Sequence, residues 1–162
     1  MRILALDMAT KTGWAVSGGA SGVWDLSIRK DESSGMRLIR FESKLYELVF
    51  GGGLTRRVDL IVFEAVTVGA GPRANFDAIK LATKLQAIVE RLVASIDDLE
   101  CRSYNLNEIK RHAIPEKGKR RDKAAMVEAA RDRWPDADIE DDNVADALFL
   151  LSLAQKELGI GG

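Results

Sequence analysis

Apolar residues in this chain fall into two rhythms, short unbroken runs and runs at helical spacing, and their alternation predicts the order of elements. Residues 2–8 read as a buried strand, and residues 13–16 and 21–29 as two more, with Gly18-Gly19 supplying the turn between them. Short connections between successive strands predict an antiparallel meander. Over residues 34–50, Leu38, Phe41, Leu45, Leu48 and Val49 recur at helical spacing, and Gly51-Gly52-Gly53 ends the helix. Residues 59–65, DLIVFEA, form a continuous apolar run of strand length, expected as a buried central strand. A long amphipathic helix is expected over 75–96, with Ile79, Leu85, Ile88, Leu92 and Ile96 on its inner face and Lys80, Lys84 and Arg91 on the other. Leu81, Val89 and Val93 fall beside that row. A strand over 99–104, a helix over 105–113, a polar loop through Pro115 and Gly118, and helices over 122–134 and 142–158 complete the order. This is a mixed α/β pattern, with an antiparallel half and a parallel half to its sheet.

Composition bounds the reading without naming a function. A chain of 162 residues, 46% of them hydrophobic, has the size of one domain with one core, so one active site is expected. The formal net charge of −1 and the pI near 5.9 carry no global signature of a nucleic-acid binder, and any such role must rest on local charge. The single cysteine, Cys101, is expected as a small core residue in a reducing compartment. Residues 3–6 are too short an apolar run for a signal segment, and no stretch has the length of a membrane span, so a soluble, cytoplasmic protein is expected.

Four acids sit where ordinary packing would not put them. Asp7 closes the apolar run ILAL, and Glu64 closes LIVF. A buried ionised carboxylate is costly unless it is paired, hydrogen-bonded or bound to a metal, although either residue alone could reach solvent at a strand end. Asp142 and Asp146 lie four apart on one helix face, a spacing at which like charges repel. Asp142 by itself also reads as the cap of a solvated first helical turn, where the helix dipole favours an acid. Asp146 does not, because Ala145, Ala147 and Leu148 around it predict close packing on a sheet. Together these are hard oxygen donors with no Cys or His cluster to favour zinc, a set suited to Mg²⁺ or Mn²⁺. Two such ions about 4 Å apart can activate water and stabilise the leaving oxygen in phosphodiester hydrolysis.

With these residues in view, the sequence resembles the RuvC-type Holliday-junction resolvases of the ribonuclease H-like superfamily, particularly their shorter bacteriophage relatives. The resemblance rests on LALDMATKTGWAV at 4–16, IVFEAV at 61–66, the basic stretch IKRHAIPEKGKRRDKAAMV at 109–127 and DNVADALFLL at 142–151. It implies a five-stranded mixed sheet flanked by helices, three strands antiparallel and then two parallel, and a homodimer cutting branched DNA. It also implies two Mg²⁺ ions per site, with Asp7 bridging both, Glu64 on one, and Asp146 as the aspartate of an ADAL motif. The family's other helix acid stands three residues before that aspartate, where this chain has Asn143; Asp142, one residue earlier, is expected to take the role, since a carboxylate binds a divalent cation better than an amide. Where some members carry an aromatic residue that opens the junction, this chain has Thr67, and Phe76, the nearest substitute, is expected in the core. We expect the dimer to form through the helix over 75–96, using Leu81, Val89 and Val93.

Residues 110–123 hold seven Lys or Arg and two acids, about +5 in an acidic protein. A carboxylate-lined nuclease repels DNA, so Lys110, Arg111, Lys117, Lys119, Arg120, Arg121 and Lys123 are expected to hold its phosphates, with Arg73 beyond Glu64 as a further contact. His112, within this run, is expected to face DNA or solvent. Two other readings share parts of the pattern: a ribonuclease H-like nuclease acting on RNA or an RNA/DNA hybrid, and a branched-DNA-binding protein without catalysis. The actin-like ATPases also open on a strand with Asp and Thr, but they need a second domain and a Gly-rich phosphate turn where this chain has Met8-Ala9-Thr10-Lys11.

Overall fold

The computed structural model describes residues 1–51, 53, 57–67 and 75–160. Its elements follow in the order β1 (Ile3–Asp7), β2 (Lys11–Val16), β3 (Ser21–Asp25), α1 (Gly35–Phe50), β4 (Leu60–Glu64), α2 (Phe76–Ala94), β5 (Glu100–Tyr104), α3 (Leu106–Ala113), α4 (Lys123–Arg133) and α5 (Asp142–Glu157). The strands form one sheet in the order β3-β2-β1-β4-β5. β1 and β2, and β2 and β3, pair antiparallel, whereas β1 and β4, and β4 and β5, pair parallel. The expected mixed sheet is therefore present, with β1 at the junction of its two halves. The third strand is shorter than the sequence implies: it ends at Asp25, whose Oδ1 accepts the Ser27 amide at 2.9 Å and turns the chain toward α1.

Strand alternation assigns each side chain to a face. Ile3, Ala5, Ala15, Leu60 and Val62 point to the side covered by α3, α4 and α5. Leu4, Leu6, Val16, Ile61 and Phe63 point to the side covered by α1 and α2. α1 buries Phe41, Leu45 and Val49 and stops at Gly51, whose φ of 60° is the left-handed conformation that glycine adopts without strain. α5 is buried almost all round, with Val144, Ala145, Ala147, Leu148, Phe149, Leu150, Leu151, Leu153 and Ala154 in the core, because α3 and α4 cover the side it turns away from the sheet.

α2 sits at a different rotation from the expected one. Its buried row is Leu81, Leu85, Val89 and Leu92, while Ile79, Ile88 and Ile96 are half-buried. Apolar residues cover more than half of this helix, so periodicity alone cannot choose the centre of the stripe. The consequence is a correction: Leu81 and Val89 belong to the chain's own core and offer nothing to a second copy. An ion pair of Arg91 with Glu42 further ties α2 to α1. Phe76 is corrected as well, being 64% exposed at the start of α2 and not in the core. Cys101 is half-buried on β5. Among the described residues no helix is long and apolar enough to cross a membrane.

Candidate active site

Asp7 ends β1 and Glu64 ends β4, and these strands are parallel neighbours in a register that pairs Leu6 with Phe63. Both acids therefore reach the same edge of the sheet. By strand alternation they also share a face with Ala5 and Val62, the face that α5 covers. α5 starts at that edge. Asp141 caps it, its Oδ1 accepting the amides of Asn143 at 3.0 Å and Val144 at 3.2 Å, and Asp142 and Asp146 follow on one helical face. Gly13 allows this approach. It lies opposite Asp7 in the β1–β2 ladder, and the backbone of Asn143 rests where a side chain would otherwise stand.

The charges bear this convergence out. Burial, then Asp146, Glu64 and Asp142, hold the Asp7 carboxyl well above its ordinary range, and Lys123 partly opposes them. Asp146 is pushed up to about 6 by burial, then by Glu64 and Asp142, with Lys110 and Lys123 opposing. Burial raises Glu64, and Lys110 opposes it. The dipole at the start of α5 favours acids by only about 0.3–1 kcal/mol, whereas an uncompensated buried charge costs several. The arrangement calls for a cation.

The donor set fits a hard divalent ion, since all four side chains are carboxylates. Asp146 Oδ1 is buried without a hydrogen-bond partner among the described residues. Among the described residues no group of three His, Cys, Asp or Glu side chains stands close enough together to hold a metal ion as it is. Asn143 turns away from the site, with its side-chain amide donating to Asp141 Oδ2 at 2.9 Å. Asp142 instead receives the Lys123 ammonium on Oδ2 at 2.5 Å.

The basic residues divide by what they touch. Lys123 pairs with Asp142, and Lys110, half-buried, acts on Glu64 and Asp146, so both belong to the carboxylate cluster itself. Arg121 is a staple: its Nε donates to the Ile114 carbonyl at 2.9 Å and its Nη2 to the Glu116 carbonyl at 3.3 Å. Arg120 pairs with Asp122, and Lys119 lies 3.6 Å from Glu116. Arg111 donates to the Asn107 carbonyl at 3.2 Å, and Lys117 is exposed. Asn107, Lys110, Arg111, Lys119 and Arg121 line a hollow of about 580 Å³. Arg73 lies outside the described residues. His112 is half-buried: its Nε2 meets Ser152 Oγ at 2.9 Å between α3 and α5, and burial, then Arg133 and Lys156, lower its pKa.

Sequence reasoning missed the cleft beside the acids. It has a volume of about 370 Å³ and runs between the β1–β2 turn, the end of β4 and the start of α2, with Asp7, Lys11, Glu64 and Thr67 among its lining. The signal for Lys11 was its place four residues beyond Asp7, where the chain re-enters a strand.

No family model and no curated protein matches the sequence. Among solved structures, the chain is similar to Thermus thermophilus RuvC in complex with a Holliday junction substrate, with a TM-score of 0.68 and 15% identity over 98% of this chain and 94% of that one. It is also similar to a second Thermus thermophilus RuvC structure, with a TM-score of 0.65 and 14% identity over 98% and 97% of the two chains. The chain thus shares the fold of these RuvC structures, a mixed five-stranded sheet flanked by helices, as the sequence resemblance implies.

Proposed function

We propose that the protein is a metal-dependent, structure-selective endonuclease that cuts branched DNA, four-way junctions foremost, by hydrolysing phosphodiester bonds. One observation carries this reading: acids from β1, β4 and α5 meet at one sheet edge, with Asp146 Oδ1 buried and, among the described residues, unmatched. Support for the substrate comes from the shared fold with a protein whose structure holds a Holliday junction. Asp7, Glu64, Asp142 and Asp146 are the residues that would hold Mg²⁺ or Mn²⁺, two ions to a site. Bound there, such ions supply an activated water and charge stabilisation for the leaving oxygen.

The chain's own cations supply the rest. Lys110 and Lys123 offset the carboxylates, and the hollow built by Arg111 and Lys119 with Lys110 is suited to backbone phosphates. Lys117 and Arg120 extend that surface, whereas Arg121 shapes it by fastening the loop. Phe76, exposed two residues before Ala78 of the cleft, is suited to stack on bases at a branch point. Cutting opposed strands takes two sites, and we assign the second to another copy of the chain. Such work belongs in the cytoplasm.

Incubation of a synthetic four-way junction, a linear duplex and an RNA–DNA hybrid, in Mg²⁺ and in EDTA, tests the reading. The junction is expected to be cut in Mg²⁺ only, and the other two much more slowly. A preference for the hybrid would replace the substrate, and metal-independent binding without cutting would make this a structural binder of branched DNA.

The fourth ligand has its own test. Asp142→Asn removes a carboxylate from the cluster, while Asn143→Ala removes an amide already engaged by the Asp141 cap. The first is expected to cost about 10²-fold or more in cleavage and the second less than about tenfold, in line with the several kcal/mol and the one that are at stake. The reverse order would give the role to Asn143.

A further inference from the structure

We propose that Lys11 is a substrate-positioning residue that holds a backbone phosphate beside the one being cut, from the cleft wall formed by the β1–β2 turn. The inference rests on the nuclease reading above and adds to it a path for the strand. Lys11 is the only cation among the described residues lining the cleft that contains Asp7 and Glu64, and it is exposed there. α3 and α4, which carry the basic segment, contribute no lining residue to it. A strand reaching the carboxylates meets cations of the basic segment on one side and, on this wall, Lys11.

Among the described residues Lys11 forms no close ion pair, in contrast to Lys119, Arg120 and Lys123. Its cross-strand partner is Asp25, whose Oδ1 accepts the Ser27 amide at 2.9 Å and whose carboxyl is held low chiefly by the Ser27 hydrogen bonds, with the Lys11 charge a lesser cause. The charges that offset Asp7, Glu64 and Asp146 are Lys110 and Lys123, and Lys11 has no part in that balance. Its backbone is firmly held: the Thr12 hydroxyl, fully buried, donates to the Ala9 carbonyl at 2.7 Å, and the Leu26 amide donates to the Thr10 carbonyl at 2.8 Å. An exposed ammonium at the start of β2, beside acids that repel phosphate and in no close ion pair among the described residues, is suited to one class of ligand, a phosphodiester anion.

The test is the salt dependence of four-way-junction binding in EDTA, with cleavage in Mg²⁺ measured in parallel, for the wild type, Lys11→Ala and Lys11→Arg. Lys11→Ala is expected to bind about tenfold more weakly, as befits one charge-assisted contact. Its log–log salt slope should fall by about 0.9 for a contact to duplex or about 0.7 for one to a single strand. Lys11→Arg should restore the slope. A purely structural role across from Asp25 would lower thermal stability, be reproduced by Asp25→Asn and leave the slope unchanged, and that result would overturn the proposal. A wild type that binds and cuts junctions beside a Lys11→Ala variant of equal slope defeats this inference alone. A wild type that cuts nothing in Mg²⁺ defeats the nuclease reading instead, while the binding slopes still decide whether Lys11 meets a phosphate.

Discussion

Asp7→Asn is expected to abolish cleavage and, in the absence of metal, to make the protein more stable. The two effects share one cause. Burial, then the acids Asp146, Glu64 and Asp142, hold the Asp7 carboxyl well above its ordinary range, so the folded chain binds that proton more readily than the unfolded chain. Stability drawn from a raised pKa is complete below the unfolded value, near 3.8, and is lost as pH rises through the folded one. Above the unfolded value the carboxyl therefore opposes folding, whether the folded chain leaves it charged or takes up a proton, and an amide of the same shape relieves it. Each kcal/mol relieved raises the melting temperature of a chain this size by about 2–4 °C. The same substitution removes an oxygen ligand on which several kcal/mol of transition-state stabilisation depend, about 10³-fold in rate or more. Thermal melts in EDTA and with added Mg²⁺ read both halves: Mg²⁺ should stabilise the wild type and do little for the variant. A variant that melts lower in EDTA, or still cuts at the wild-type rate, would remove Asp7 from the centre of the site.

Gly13→Ala is expected to be among the most damaging single-methyl changes in the protein. The added Cβ would overlap the carbonyl carbon and oxygen of Asn143 and come within 3.1 Å of its Cα. The obstacle is helix backbone, which cannot swing aside as a flexible side chain can. Overpacking of a tight core costs about 1–3 kcal/mol, and a clash with backbone belongs at or above the top of that range. A loss of roughly 6–12 °C in melting temperature follows. Activity should fall further than stability does, because the strain lifts the first turn of α5, with Asp142 and Asp146, away from Asp7. Melting curves and junction cleavage well below the melting temperature separate the two. A well-folded variant with normal cleavage would mean that α5 finds its place without this close contact.

These two positions mark the division between what could be read along the chain and what could not. Strand and helix order, the antiparallel-then-parallel sheet, and the anomaly of Asp7, Glu64 and Asp146 in apolar settings were all legible, because each is a local property of pattern and composition. The wrong stripe on α2 shows where such reading stops. A helix apolar over more than half its circumference has no preferred inward direction until α1 and the sheet are in place, and that is why Val89 lies in the core. His112 shows a related limit: charge on the surrounding residues says nothing of the Ser152 hydroxyl that meets it from α5.

The sequence by itself determined that Asp7, Glu64 and Asp146 stand in apolar settings, where a carboxylate is costly in any fold once it is buried. Only the tertiary structure decided how they meet. Parallel pairing of β1 with β4 brings Asp7 beside Glu64, and the missing side chain at Gly13 lets α5 carry Asp142 and Asp146 to them. It also decided that Lys123 turns to Asp142 while Lys11 is left without a close ion pair among the described residues. Those are through-space relations between elements far apart in the chain, set by the packing of α5 on the sheet, and no spacing within a single segment encodes them.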